Sequence, residues 1–476
     1  MTSIELWLAR GINRITSAPL GVYQSAVIRI GFSATWLLFL LREFPHRQEL
    51  YGPNGPWSWS MARELIDGNG AFTALIWTDS QTWFEVVYAV AIVSSALLLL
   101  GWHTRAMSVL FMVGVLSMEN RSIFMSDGGD NVLHLMSIYL VFTRCGAVWS
   151  LDARRMRRAA QARARGARFR ADAVGPVLWA VLGAVLLVVT GRGYLSPGWM
   201  LVFWGMWVAH VLWWVVDRRS VRGTATLHPG AAEGAPATAS GVPATASVIP
   251  AANAVPAGGA AAFRTSTDDT ALGAPAGSGP HASRNEKRLL LDVIANLAHN
   301  AGLLVIMVEA CLVYATAGWY KIQGSRWQDG TAVYYPLHLD YFSPWPALSD
   351  QLGAHGLIVM LITYGTVMVQ VAFPFTLFNR RVKNVLLVAM MTEHLVIAIT
   401  LGLPFFSLAM ITADAVFLPT SFLRWLGRQA TRTVGRLLPA SRRPGSGIGA
   451  ADGTGEGRGA RDPEPEAPLS PAGSHG

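Results

Sequence analysis

Residues 21–41 read GVYQSAVIRIGFSATWLLFLL. Arg29 is the one charged side chain in this run, which is as long as the ~20 residues a helix needs to cross a bilayer. It is too long for the apolar core of a signal peptide, and no small-residue cleavage site follows it. It therefore reads as an uncleaved first spanning helix. Nine further apolar runs continue the pattern: Trp83–Trp102, Ala106–Met118, Asn131–Trp149, Val174–Thr190, Gly198–Val216, Gly302–Tyr320, Gly356–Phe378, Val385–Gly402 and Pro404–Phe422. The third and fourth runs of the chain are cut short by charges and fit a re-entrant hairpin as well as two spans. The chain reads as all-α, a polytopic integral membrane helical bundle of about ten transmembrane helices, or eight if that hairpin does not cross.

Composition agrees. Of 476 residues, 52% are hydrophobic and 14% charged, with a mean hydropathy of +0.36. A soluble chain carries about 25% charged residues, so too few charges remain here to solvate several globular domains. The two cysteines have no metal-ligand spacing and read as packing thiols. The net charge of +9 admits nucleic acid or membrane as partner, and its placement decides.

Residues 154–170, RRMRRAAQARARGARFR, hold eight arginines and no acid. Further clusters are Arg218, Arg219 and Arg222; Arg284, Lys287 and Arg288; Arg380, Arg381 and Lys383; and Arg424, Arg428, Arg432 and Arg436. With ten spans and a cytoplasmic N-terminus, all of them fall on the cytoplasmic side, as the positive-inside rule requires. The expectation is a multi-pass plasma-membrane protein with both termini in the cytoplasm, its basic face drawn to anionic lipid of the bilayer. No basic–aromatic groove accompanies the arginines, which argues against a nucleic-acid partner.

Five regions follow. Residues 15–152 and 289–423 hold the two halves of the core. Residues 153–216 comprise a basic cytoplasmic loop and two extra spans. The Gly/Ala/Pro/Ser/Thr-rich stretch 217–288 is expected to be a disordered linker, and 424–476 a basic and then disordered tail, since neither can bury enough apolar surface to offset its ordering entropy. On the opposite side lie three loops rich in Gly, Pro and aromatics: 42–82 with ELYGPNGPWSWS, 119–130 reading ENRSIFMSDGGD, and 321–354 with KIQGSRWQDGTAVYYPLHLDYFSPWP. Together they are expected to form a structured cap.

Ionisable groups at membrane depth are costly and mark candidate sites. They are Arg29, Glu85, His134, Glu309, Glu393, His394 and Asp414, with Lys321 at a span end. Arg29 is expected to pair with a buried acid, either as a helix-to-helix tie or as part of a site. Glu393 and His394 are adjacent and so point about 100° apart. His394 reads as a hydrogen-bonded packing group or as a reactive one. Lys321 shares a helical stripe with Tyr314 and Gly318. A lysine there either snorkels to the interface or, poorly solvated, serves as a general base. The GG of DGGDNVLHL suits a tight turn that opens a helix with Asp130 as N-cap. His338 and His355 are too isolated to suggest a metal site, and no Walker, Rossmann, HExxH or G-x-S-x-G motif occurs.

The segments ENRSIFMSDGGDNVLHL, VFTRCGAVWSLD, AGWYKIQGSRWQDGTAVYYPL and EHLVIAITLGLPFFSLAMITADAVFLP, in this order, resemble the horizontally transferred transmembrane (HTTM) family, bacterial relatives of vitamin K-dependent gamma-carboxylase. The resemblance covers roughly residues 15–152 and 295–423. It implies a helical membrane core with an extracytoplasmic site, and a reduced quinone as cofactor. In that enzyme a lysine following an Ala-Gly pair deprotonates vitamin K hydroquinone, and Lys321 matches it, displaced by one residue relative to Trp327. Trp149, Ser150 and Asp152 match the enzyme's W-S-x-D, whereas its catalytic histidine falls on Gly129. The enzyme carries a large extracytoplasmic domain after its helices, whereas the residues after Phe422 here are expected to be a basic and then disordered cytoplasmic tail. The resemblance thus implies a pocket with Lys321 as base and Arg29, Asp130, Asn131, His134, Trp327, Glu393 and His394 as candidate lining. Two readings from other classes stand beside it: a transporter using Arg29, Glu309, Glu393 and Asp414 as a polar pathway, and a scaffold or maturation factor that holds a secreted peptide on its loops.

Overall fold

The computed structural model describes residues 3–167, 172–225 and 280–437. Residues up to Leu426 form one compact unit and those from Gly427 a second. The fold is an all-α membrane bundle, with no strand among the described residues. Its principal helices are α1 (Ser3–Ser17), α2 (Val22–Glu43), α3 (Trp59–Asn69), α4 (Gln81–Leu100), α5 (Thr104–Arg121), α6 (Gly128–Leu140), α7 (Leu151–Ala164), α8 (Val174–Gly191), α9 (Pro197–Ala225), α10 (Pro280–Gln323), α11 (Gly356–Ala372), α12 (Arg380–Thr400), α13 (Pro404–Asp414) and α14 (Thr420–Leu437).

Among the described residues, seven helices are long and apolar enough to cross a membrane, or up to eight if α13 and α14, which are bent against each other, make one span. The count falls at the low end of the sequence expectation because α5 and α6 do not qualify. Helix α5 carries Arg105, Glu119 and Arg121. Helix α6 has 13 residues, about 20 Å at 1.5 Å per residue, short of a ~30 Å hydrocarbon core. Both nevertheless pack inside the bundle, where Phe111, Met112, Val115, Leu116, Leu133 and Met136 are buried. Helices α9 and α10 run into the expected 217–288 linker from both sides, to Ala225 and from Pro280. The rest of that stretch, and the tail from Arg442, lie outside the described residues.

One end of α4 is organised by Arg29, which is fully buried on α2. The expected acid partner is replaced by backbone. Nε donates to the Cys145 carbonyl (3.1 Å), Nη1 to those of Leu98 and Leu99 (2.8 Å for Leu99), and Nη2 to that of Trp149 (2.7 Å). The chemistry is simple: the last carbonyls of a helix lack intrahelical donors and form the negative end of its dipole. Gly101, left-handed at φ 72, closes α4 in a Schellman turn, with Gly101 N–H on Leu98 O and Trp102 N–H on Leu97 O, both 2.9 Å.

The W-S-x-D segment serves this same corner. Trp149 takes a left-handed backbone (φ 51) that presents its carbonyl to Arg29. Ser150 caps α7 by accepting the Ala153 N–H at 2.8 Å. Asp152 caps α5 across the chain, accepting the N–H groups of His103 (3.0 Å) and Thr104 (2.7 Å) and the Thr104 hydroxyl (2.9 Å). Arg155 then bridges Asp152 and Asp172 at 2.8 and 2.7 Å.

At the other end of α4, about 30 Å away along its 20 residues, two of the three loops interlock. Arg121 donates through Nη2 to the carbonyls of Gly52 (2.8 Å) and Trp57 (2.9 Å). Trp57 meets Phe124 edge-on at 4.9 Å. Thr73 and Ala74 tie to Ser117 at 2.8 and 3.1 Å. Glu85 is held by Arg47 through both carboxylate oxygens at 3.0 and 3.1 Å. The third loop folds back on its own half: Tyr364 on α11 donates to Gln328 O at 2.8 Å, and Pro344 packs on Gly402.

Candidate functional site

Helix α10 carries Lys321 to the loop end. Near the opposite end, His299 accepts the Arg144 N–H at 2.8 Å and contacts Leu20 O at 2.6 Å. Lys321 lies 22 residues further on, about 33 Å along the helix. Gly318, one turn before Lys321, decides what it meets. A Cβ there would sit 2.6 Å from Val371 Cγ2, so only glycine lets α10 and α11 come this close. The close approach delivers Gln370, the neighbour of Val371, to the lysine.

Lys321 therefore does not snorkel outward. Its Nζ donates to Gln370 Oε1 at 2.8 Å, and Gln370 Nε2 donates to Glu393 Oε1 on α12, also at 2.8 Å. The indole of Trp327 covers the ammonium, with Nζ 5.2 Å from the ring centroid. A tight turn sets Trp327 there, with Gly324 N–H on Lys321 O and Trp327 N–H on Gly324 O, both 3.0 Å. Gln370 is buried, while Lys321 and Glu393 are half-buried.

Two turns deeper on the same stripe of α10, the fully buried Tyr314 hydroxyl lies 3.1 Å from His394 Nε2. Asp414, on α13, interacts with the same hydroxyl and feels the charge of Glu393. Asp414 is completely buried, and neither of its carboxylate oxygens makes a hydrogen bond of good geometry. His394 Nδ1 and the buried Ser407 Oγ are also without partners. Unsatisfied polar atoms in an apolar interior are expensive, so this concentration marks the region. Glu393 and His394 do point to different faces, but both serve α10: one reaches Lys321 through Gln370, the other reaches Tyr314.

Lys321, Trp327, Glu393 and His394 are thus brought together. Arg29, Asp130, Asn131 and His134 are not part of this cluster. Arg29 belongs to the far end. Asp130 is not the N-cap of α6. Asp127 is, accepting the Gly129 and Asp130 N–H groups at 2.6 and 3.0 Å, while the Asp130 carboxylate returns to the Asp127 N–H at 3.0 Å in a capping box. Asn131 donates back to Asp127 O at 3.2 Å. His134, half-buried, follows one turn on. The link from α6 to the cluster is indirect: Gly128 and Gly129 seat Phe406, whose ring meets that of His394 at 5.5 Å.

Beside α6, Glu119 is buried and accepts the Ser126 hydroxyl at 2.6 Å. Burial, with the charge of Asp130 nearby, raises its carboxyl to about 8. Burial and the neighbouring Asp127 raise Asp130 to about 7.

Gln370 and Tyr314 are the cluster members that were not singled out as site residues from sequence. A glutamine at membrane depth, one turn from Thr366 on the same face, was the available signal. No family model, no curated protein and no solved structure matches the chain.

Proposed function

We propose that this chain is a membrane enzyme of the HTTM type, in which Lys321 acts as base on a reduced quinone at the end of the bundle facing away from the cytoplasm. The observation that supports the reading is the inward turn of Lys321 onto Gln370 beneath Trp327. Gln370 keeps Glu393 one amide away, so the lysine is not locked in a direct ion pair and its nitrogen can exchange a proton. A flat apolar ring with hydroxyls suits these residues: the Trp327 indole offers a face, and Lys321 and Gln370 offer polar atoms beside it. When bound, a reduced quinone supplies an oxidisable ring with acidic hydroxyls. The protein's part is to hold that ring, take a proton at Lys321 Nζ and exclude water with the aromatic loop. In this reading the arginine clusters fix a plasma-membrane orientation with both termini inside.

The test uses the full chain in lipid nanodiscs with a reduced naphthoquinone, following quinol consumption and quinone retained on purification by mass spectrometry. Lys321→Ala and Lys321→Arg are both expected to abolish turnover, because arginine stays protonated. Turnover retained by Lys321→Arg sinks the neutral-base role. Absence of retained quinone in the unmodified protein sinks the cofactor.

A second reading rests on Asp414. Its buried carboxylate, poorly hydrogen-bonded beside Tyr314, His394 and Glu393, suits a proton-coupled transporter. That reading expects Asp414→Asn to abolish proton uptake into proteoliposomes, with Lys321→Ala tolerated. Arg29 and Glu309 lie outside the cluster, which leaves the pathway shorter than the sequence suggested.

A further inference from the structure

Helix α1 presents an apolar face that none of the described residues covers. At about 100° per residue, Ile4, Trp7, Leu8, Ile12 and Ile15 fall within an arc of about 140°. Of the large apolar side chains of α1 only Leu6 lies outside that arc. In a globular protein such a face is turned to the core. Here Ile4, Trp7 and Ile12 are 68%, 73% and 58% exposed, and Leu8 and Ile15 are exposed as well. A Cβ added at Gly11, in the middle of the arc, would meet nothing within 4 Å.

The helix is nevertheless tied down at its C-terminal end, where the last carbonyls lack internal donors. Asn300 Nδ2 on α10 donates to Ile15 O (2.8 Å) and Ala18 O (3.1 Å), and Asn296 Nδ2 donates to Thr16 O (2.9 Å). Asn300 Oδ1 accepts the Leu20 N–H at 2.7 Å. His299, which contacts Leu20 O, also accepts the N–H of Arg144, the neighbour of Cys145 in the Arg29 corner. Helix α1 is thus fixed at the end of the bundle opposite Lys321. Its 15 residues reach about 22 Å, too short for a ~30 Å hydrocarbon core. The first span begins at Val22, directly after the turn that follows α1. The uncovered face therefore lies where the chain enters the bilayer.

We propose that α1 is an in-plane membrane anchor. Its Ile4–Trp7–Leu8–Ile12–Ile15 face sinks into the boundary between headgroups and acyl chains, and Arg10 and Arg14 rest on anionic lipid headgroups. Charge selects this occupant. Arg10 and Arg14 stand one turn apart beside the Trp7 edge of the arc, and neither pairs with an acid among the described residues. Arginines at the rim of an apolar stripe keep their stems on lipid and their guanidinium groups at phosphate depth. Helix α7, which opens from the same corner, exposes Arg154, Arg157, Arg158 and Arg163. A second copy of this end would set arginines against arginines, whereas an anionic leaflet supplies the opposite charge. The anchor uses no residue of the Lys321 cluster and stands independently of the quinone reading.

The test is site-directed spin labelling of the full chain in nanodiscs of phosphatidylcholine, with or without added phosphatidylglycerol. Labels are placed through Leu8→Cys and Ile12→Cys on the apolar face and Asn13→Cys on the opposite one. The background is Cys311→Ala, since Cys145 is buried. Collision with oxygen, which concentrates in lipid, and with a water-soluble nickel chelate reads the depth of each label. Labels at 8 and 12 should favour oxygen and the label at 13 nickel, with a larger contrast when phosphatidylglycerol is present. Arg10→Gln and Arg14→Gln should each lower the ratio of immersed to exposed label at 12 about fivefold in the anionic discs. Added salt should act in the same direction. Labels at 8 and 12 open to nickel in both lipids overturn the proposal. So does protection from both reagents with spin–spin broadening, which would assign the face to a second copy. A depth that changes neither with phosphatidylglycerol nor with loss of the arginines overturns it as well.

Discussion

Arg29 and the Tyr314–His394–Asp414 group are all buried polar residues at membrane depth, yet they are satisfied in different ways. Every nitrogen of the Arg29 side chain donates to a backbone carbonyl. Around His394, four buried atoms make no hydrogen bond of good geometry: His394 Nδ1, Ser407 Oγ and both oxygens of Asp414. Backbone carbonyls cannot titrate and hardly move, so a charge that ends on them holds structure. Side chains with spare donors and acceptors can change protonation and accept a ligand. The sequence offers both groups as the same kind of signal, an ionisable residue in an apolar run. The partners tell them apart.

The strongest way to break this contrast is Arg29→Met. It leaves the carbonyls of Leu99, Cys145 and Trp149 without their donor, and that of Leu98 with the Gly101 N–H alone. At ~1–3 kcal/mol for each unsatisfied buried group, the expected loss is several kcal/mol, read as a collapse of the monodisperse fraction on size-exclusion chromatography. Retained stability would show that the corner does not depend on the arginine.

Next in size is a pH effect at the loop end. Glu119 is raised from an ordinary 4.5 to about 8 in the folded protein. The folded state therefore binds a proton that the unfolded state gives up. Its contribution is fully present below about 4.5, is lost as the pH rises to about 8, and is constant above. Asp130, raised to about 7, acts with the same sign. One pKa unit corresponds to about 1.4 kcal/mol, so Tm should fall measurably between pH 5 and pH 8, on the order of a few kcal/mol in stability. Glu119→Gln should flatten most of that slope. A Tm that rises over this interval would contradict the burial of the acid.

A smaller effect is expected at Asp152. Asp152→Ala removes the remote cap of α5 and one partner of Arg155, and cap losses run to ~1–2 kcal/mol. Because this motif lies at the far end from Lys321, turnover per folded molecule should not change. A selective loss of turnover would place W-S-x-D in the reaction.

Most of the spans were legible because apolar length is a strong signal; Glu393 and His394 were legible because an ionisable group within an apolar run stands out, and Lys321 and Trp327 because a charge and an indole lie at the end of one. What was not legible depends on contacts distant in sequence. Arg29 is indistinguishable from a site residue until Trp149 and Cys145, more than a hundred positions away, turn their carbonyls towards it. Asp130 looked like the cap because it directly precedes the Asn131–Trp149 run, but the two glycines let the helix begin three residues earlier, with Asp127 as its cap. Gln370 carries no charge and drew no attention, although it is the residue that joins Lys321 to Glu393. W-S-x-D drew attention as a family motif, and its place in the fold is a cap and a carbonyl.

The finest distinction is drawn by Tyr314→Phe. The ring keeps its packing against Phe373, whose centroid lies 6.0 Å away, and only the hydroxyl is lost. Removing one hydrogen bond changes stability by ~0.5–1.5 kcal/mol, close to the resolution of a thermal melt. If Tyr314 merely fills space between α10 and α12, nothing further happens and turnover of a reduced naphthoquinone is unaffected. If the hydroxyl connects His394 and Asp414 to the lysine stripe, protons taken at Lys321 lose their onward partner. Turnover should then fall at least tenfold while quinone retention stays the same. The variant thus separates binding from proton transfer within a single side chain, because the fold tolerates the loss of this oxygen and the proposed chemistry does not.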